Sequence, residues 1–324
     1  MSAYLPKDFI ETAEGLIFAV VAAGEEERRV LAFLRYRRTP DGFTKLSTQQ
    51  ANALLDTRHP AYRYFSRSRD VRLHGVPADA IVRHHRPRRR LQAICGNTDG
   101  DRLERKLARL VAHFTANGLD SREIGVTGSM LIGAHNRSSD IDLVFYRRET
   151  FFQAREIVRR LVDREILQPL DDALWRDAYR RRGCSISFET FLWHERRKHN
   201  KAAIDQTKFD ISLLAEGEPP EQARYNKLGK ARVRCRVTDD SRGFDYPARY
   251  RLDHPEIAEV VSYTATYAGQ AYTGEQVEIQ GRLERADDGR RRIIIGSDRE
   301  AAGEYLKVAA VESAPASADG ANGK

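Results

Sequence analysis

Three acidic residues carry the strongest chemical signal in this chain. Asp140 and Asp142 lie two apart in Ser139-Asp-Ile-Asp-Leu-Val-Phe145, a stretch whose alternation predicts a strand. Side chains alternate along a strand, so both carboxylates leave one face while Ile141 and Leu143 enter a core. Two carboxylates about 7 Å apart on a buried strand repel each other and resist desolvation. A divalent cation between them removes that penalty, and magnesium takes oxygen ligands, often one or two carboxylates plus substrate phosphates. Asp210, between Phe209 and Ile211 in a second predicted strand from Thr207 to Leu214, adds a third carboxylate if the two strands are neighbours. Three such groups can hold two magnesium ions, one for a triphosphate and one for an attacking hydroxyl, whose proton Asp210 is placed to accept.

Gly128-Ser129 supplies the complementary chemistry. Glycine lets a backbone approach a ligand closely, and the serine hydroxyl with the following amides can hold phosphates. The segment Glu123 to Tyr146 reads as strand, Gly-Ser turn, short helix, loop and strand, with ten residues between Ser129 and Asp140. Helices are predicted around it. Asp99 to Asn117 places Leu103, Leu107, Leu110, Val111 and Phe114 on one face, with Gly118 as the stop. Thr150 to Arg164 does the same with Phe152, Ile157, Val158, Leu161 and Val162. Pro169 to Tyr179 and Phe188 to Asn200 are two further helices.

The flanks have a different texture. Residues 1–95 open with strand-like runs, Gly15 to Ala23, Arg29 to Arg37 and Gly42 to Leu46, joined by polar turns as in an antiparallel meander. Ser47 begins a helix to Leu55 with Gln50 at the capping-box position, and the region ends in a basic connector, Arg83-His-His-Arg-Pro-Arg-Arg-Arg90. Glu216 to Glu221 reads as a linker after a central region 96–215. Residues 222–310 read as all β: strands at Ala231 to Val237, Ala248 to Leu252, Val260 to Tyr267, Gln276 to Leu283 and Arg291 to Ile295, with a hairpin turn at Asp287-Asp-Gly289. Five short strands with tight turns predict a small barrel, closed or partly closed, of OB-like type. Residues 311–324 have too little apolar content to pack and are expected to be disordered.

The fold expected is therefore α+β, a mixed sheet with helices between a β-rich N-terminal region and a small C-terminal barrel. Among the 324 residues no apolar run approaches the ~20 needed to span a membrane, and the N-terminus lacks a signal-peptide pattern, so the cytoplasm is expected. The three cysteines are too scattered for a zinc site and are read as buried thiols. Fifty-five basic against 47 acidic residues give a net charge of +8, which favours a polyanionic partner. Candidate phosphate or nucleic-acid contacts are Arg86, Arg88 and Arg89 in the connector and Arg196, Arg197 and Lys198 at a helix end, where cations also suit the helix dipole. Arg137 can reach a triphosphate; Lys208 can reach a phosphate or pair with a carboxylate. Ser138 and Ser139 can orient Asp140 or serve the turn. His84 and His85 have no carboxylate at ligand spacing in the sequence. Trp193, Tyr179, Tyr263, Tyr267 and Tyr272 are candidate stackers on a base, with burial as the plain alternative for the two on helices.

Gly128-Ser129, Asp140-Ile-Asp142-Leu and Phe-Asp210-Ile together resemble the DNA polymerase β-type nucleotidyltransferase superfamily, over roughly residues 99 to 215. The resemblance implies a nucleotidyltransferase core, phosphate contact at Ser129, and Mg2+ (or Mn2+) at Asp140, Asp142 and Asp210. Thr127 stands where that family prefers an apolar residue. The whole chain also resembles a group of predicted archaeal and bacterial nucleotidyltransferases. The activity expected is transfer of a nucleotide from a nucleoside triphosphate, ATP among them, to a hydroxyl acceptor, RNA before DNA. The alternatives are a non-catalytic nucleic-acid-binding protein on the same scaffold, or transfer to a protein or small-molecule hydroxyl.

Overall fold

The computed structural model describes residues 4–217, 223–298 and 301–309. They form a mixed α+β fold of three sheets and six α-helices. The tail at 311–324 and most of the linker from Glu216 to Glu221 lie outside the described residues.

The first sheet has seven strands: β1 (Phe9–Thr12), β2 (Leu16–Val20), β3 (Arg29–Thr39), β4 (Gly42–Lys45), β5 (Arg63–Ser66), β6 (Val71–Pro77) and β7 (Ile81–His85). Their order is β5-β6-β3-β2-β1-β7, with β4 on the outer half of β3. The β2–β3 and β3–β4 pairs are the antiparallel meander expected. Helix α1 (Thr48–Arg58) starts with the expected capping box between Ser47 and Gln50.

The basic stretch is not a connector loop. Its first half is β7, paired to β1, and its second half is α2 (Pro87–Cys95). Pro87 stands in the first turn, where its missing N–H is no loss. Pro87, Leu91 and Ile94 form a buried stripe that the arginines conceal in the sequence. The first strand, β1, was also not expected, because four residues are too few to show a period.

The second sheet is built from β8 (Ile124–Thr127), β9 (Ile141–Phe145), β10 (Lys201–Ile204) and β11 (Thr207–Leu213), in the order β10-β11-β9-β8. Helix α3 (Arg102–Ala116) precedes it, capped by Asp101 and Glu104. Helices α4 (Arg148–Asp163), α5 (Asp172–Arg182) and α6 (Phe188–Lys198) connect β9 to its parallel neighbour β11, as a parallel pair requires. Ile141, Leu143, Phe209 and Ile211 bury one sheet face against Leu107, Leu110 and Phe114 of α3 and Ile157 and Val158 of α4. Phe151, not the expected Phe152, belongs to this core; Phe152 is 41% exposed.

The third sheet has β12 (Tyr225–Asp239), β13 (Ala248–Leu252), β14 (Glu259–Ser262), β15 (Gln276–Ala286), β16 (Arg291–Ile295) and β17 (Tyr305–Val308). Pairing runs β12-β13-β14-β16-β15, β15 pairs again with β12, and β17 lies on β15. The strand expected to reach Tyr267 ends at Ser262. Trp175 and Ala178 of α5 and Phe191 of α6 share one apolar cluster with Val237, Tyr250 and Ile279 of this sheet. No helix among the described residues is long and apolar enough to cross a membrane. All three cysteines are free; Cys235 alone is buried, and Cys95 is exposed rather than buried as expected.

Candidate active site

Strand register brings the predicted acids together. Asp210 of β11 stands directly beside Asp142 of β9. Thr127 of β8 flanks Asp142 on the other side, and Lys201 of β10 flanks Asp210. A single row, Lys201, Asp210, Asp142, Thr127, thus crosses the sheet, with neighbours about 4.8 Å apart. The opposite face is the apolar one, so register and core packing fix each other: a slip of one residue would bury the acids.

Gly128 follows Thr127 with φ of +67°, and a Cβ there would meet Asp142 Oδ2 at 2.4 Å. Only glycine permits this approach of backbone to carboxylate. The short 3-10 helix Gly128–Ile132 then buries Leu131 and Ile132 against Phe9, Ile17 and Tyr36 of the first sheet. Asn136 Oδ1 accepts from the Ser138 backbone and hydroxyl, so these residues serve the turn before Asp140; Arg137 is exposed beside them.

Cations surround the acids. Lys208 Nζ lies 3.0 Å and Arg181 Nη1 2.8 Å from Asp140 Oδ2. Arg182 Nη2 at 3.2 Å and Lys201 Nζ at 3.3 Å share Asp210 Oδ2, and Asn200 Nδ2 donates to Asp210 Oδ1 at 3.4 Å. Lys208 therefore takes the carboxylate-pairing role of its two expected ones. Asp142 has none of these partners. Burial, then repulsion from Asp210 and Asp140, raises its pKa above the ordinary carboxylate value, against the pull of Lys7 and Arg182.

Lys7 was not foreseen. Its φ is +74°, an uncommon backbone for a lysine, held by its N–H to Val20 O at 3.1 Å and by Thr127 Oγ1 donating to its carbonyl at 2.8 Å. Its Nζ donates to Ser212 Oγ at 2.9 Å. Burial lowers its pKa, while Asp210 and Asp142 pull it back up. Tyr36 and Lys45 of the first sheet also lie within the field of Asp142. No local pattern in the sequence announces these residues; they arrive through packing of the first sheet over the Gly128 turn.

The other basic candidates divide. Lys198 is not a surface contact: it is 1% exposed, with Nζ 2.5 Å from Glu195 Oε1 and donating to Thr266 O at 2.7 Å. Glu195 also holds Lys201 at 2.7 Å, so a buried ionic chain runs from the third sheet to Asp210. Its carboxyl is pulled down to about 2 by Lys198 and Lys201 against the opposing effect of burial; burial, opposed by Glu195, lowers Lys198 to about 8. Arg88 forks onto Glu216 at 2.7 and 2.9 Å and lies over Tyr146. Arg197 bonds Glu275 at 2.6 Å. Arg86, Arg89 and Arg196 are exposed. His84 and His85 do meet carboxylates, Asp8 at 2.7 Å and Glu11 at 3.1 Å, brought by β1 from far away in sequence. Tyr267 is 2% exposed and is no stacker, whereas Trp193 is 42% exposed.

The donor set fits a hard divalent cation in kind: two carboxylates on adjacent strands and a third, Asp140, just before β9, with Asp142 beside a glycine that has no Cβ to fill the space. As the side chains stand, no three His, Cys, Asp or Glu groups converge to hold an ion among the described residues. Holding one requires Asp140 and Asp210 to exchange their Arg and Lys partners for it.

No family model matches the chain, and no solved structure matches it. The chain is 33% identical over 335 residues to "Uncharacterized protein MJ1086" of Methanocaldococcus jannaschii, a match covering 93% of this chain and 98% of the relative. At that identity and coverage the chain belongs to the same family as this archaeal protein.

Proposed function

We propose that the chain is a magnesium-dependent nucleotidyltransferase of the DNA polymerase β type. The observation that carries this reading is the row of Asp210 beside Asp142, with Gly128 closed onto the Asp142 carboxylate. Asp140, Asp142 and Asp210 would hold the divalent ions. When bound, such ions neutralise the charge on the triphosphate and on the entering and leaving oxygens.

The chain's own residues do the rest. The Gly128-Ser129 backbone and the Ser129 hydroxyl receive the phosphates. Arg181, Arg182 and Lys208 turn from the acids to the triphosphate oxygens, and the change of partner keeps each charge compensated. Asp210 accepts the proton of the acceptor hydroxyl. The hydroxyl oxygen bonds to the α-phosphorus, the bond from that phosphorus to the bridging oxygen breaks, and pyrophosphate leaves. Thr127 in place of an apolar residue is accounted for by its bond to the Lys7 carbonyl.

The third sheet is read here as an OB-type barrel, supported by the return pairing of β15 to β12 and the parallel β14–β16 pair. An OB-type module beside the acids and the net charge of +8 favour a nucleic-acid acceptor, RNA first. The test is incorporation of labelled nucleotide into total RNA, DNA or protein with Mg2+ or Mn2+. Asp142→Asn is expected to remove incorporation and leave the fold intact. If the wild type labels nothing and Asp142→Asn binds RNA as well as it does, a binding protein on this scaffold is the correct reading. The pairing of Asp140 and Asp210 with cations is the observation on that side.

A further inference from the structure

Trp193 has the wrong surroundings for a core residue. It lies on α6 with 42% of its surface exposed, in a groove of 620 Å³ lined also by Arg176, Phe188, Leu192, Arg196 and Arg197. The Arg197 guanidinium lies 4.4 Å from the Trp193 ring centre and 4.3 Å from that of Tyr272, which follows the third sheet's β14. Glu275 fixes that guanidinium at 2.6 Å, and the His194 ring lies nearly perpendicular to the indole, with ring centres 4.8 Å apart. Arg176 covers Phe188 at 4.5 Å. The indole is thus braced from within the protein and open outward.

From this groove a line of guanidinia leads to the acids. Arg176 and Arg180 are one turn apart on the exposed side of α5, and Arg181 and Arg182 at its end reach Asp140 and Asp210. Six helical positions separate Arg176 from Arg182, roughly 9 Å along the axis. Aromatic faces interleaved with arginines suit one class of partner, flat π-systems strung on phosphates. Glu189 at the groove and Asp172 near Arg196 make the patch less favourable to a partner recognised by charge alone.

We propose that Trp193 is a stacking platform for a base of a single-stranded nucleic acid whose phosphates follow Arg196, Arg176 and Arg180 toward the acids. The proposal rests on the nucleotidyltransferase reading, for which it names the acceptor's path.

The chain has two tryptophans, and the other, Trp175, is 5% exposed and serves as an internal reference for folding. Titration of the full chain with a short oligouridylate should quench the exposed component of the emission, saturably and less at high salt. By anisotropy of a labelled oligouridylate, Trp193→Ala should bind at least about tenfold more weakly, the loss of one base stack, and Trp193→Phe should retain most of the affinity. Arg176→Gln should lower the salt slope by roughly 0.7. Wild-type affinity in Trp193→Ala overturns the proposal, as does equal quenching by inorganic polyphosphate or polyglutamate. No incorporation by the wild type, with Trp193-dependent binding intact, would sink the nucleotidyltransferase reading and leave this one; normal incorporation with unaltered Trp193→Ala binding would sink this one alone.

Discussion

Among single residues, Gly128 brings its backbone close to a site carboxylate, that of Asp142. Gly128→Ala would set a methyl 2.4 Å from Asp142 Oδ2 at a φ of +67°. The Asp142 side chain or the turn must then move. A displacement of about 1 Å costs roughly 100-fold in rate, while the backbone strain costs only about 1–2 kcal/mol. Gly128→Ala should therefore stay folded by urea denaturation and lose most of its incorporation. Equal activity in this variant would mean that the turn holds no phosphate. The acids and Gly128 were legible because their chemistry is local: alternation puts Asp140 and Asp142 on one face, and Phe209 and Ile211 mark Asp210 as facing away from a core. Lys7, Tyr36 and Lys45 were not legible. Nothing near them in sequence is unusual, and their closeness to Asp142 is a product of tertiary packing.

At the scale of elements, the periodic or capped helices were legible in sequence, and the arginine-masked α2 and several short strands were not. α3 and α4 were expected near their observed bounds because their apolar residues repeat over three or more turns. α2 was missed because four of its first five neighbours in sequence, from Arg86 to Arg90, are arginines around a proline. β10 and β17 are four residues each and carry no clear pattern. Helix α6 also carries a test of its own. His194 is 1% exposed, its Nε2 accepts the Val308 N–H of β17 at 3.3 Å, and burial lowers its pKa to about 3. The folded value lies below the ordinary 6.5, so the unfolded chain binds the proton first as pH falls. The stability this group contributes is complete above pH about 6.5 and is lost progressively down to about 3. His194→Gln, which keeps an acceptor for Val308, should show a flatter fall in urea midpoint across that window. A slope identical to wild type would show that other groups carry the acid sensitivity.

At the scale of the whole molecule, three sheets converge on one row of charges. The second sheet carries the acids, the first lays Phe9, Ile17 and Tyr36 over the Gly128 turn, and the third holds α5 and α6, whose ends bring Arg181, Arg182 and the Glu195–Lys201 pair. The three sheets answer to changes of texture along the chain. The way each part supplies charge to the site was not legible there, because contacts such as Lys7 Nζ with Ser212 Oγ join residues 205 positions apart. The position of a phosphate label decides between transfer of a nucleotide and transfer of a terminal phosphate. The wild-type chain is supplied with Mg2+ and total RNA, DNA and protein, and with nucleoside triphosphates labelled at either the α- or the γ-phosphate. α-Label is expected in the acceptor and γ-label in pyrophosphate, both absent in Asp142→Asn. Appearance of γ-label in the acceptor, or α-labelling that survives Asp142→Asn, would contradict the proposed nucleotide transfer.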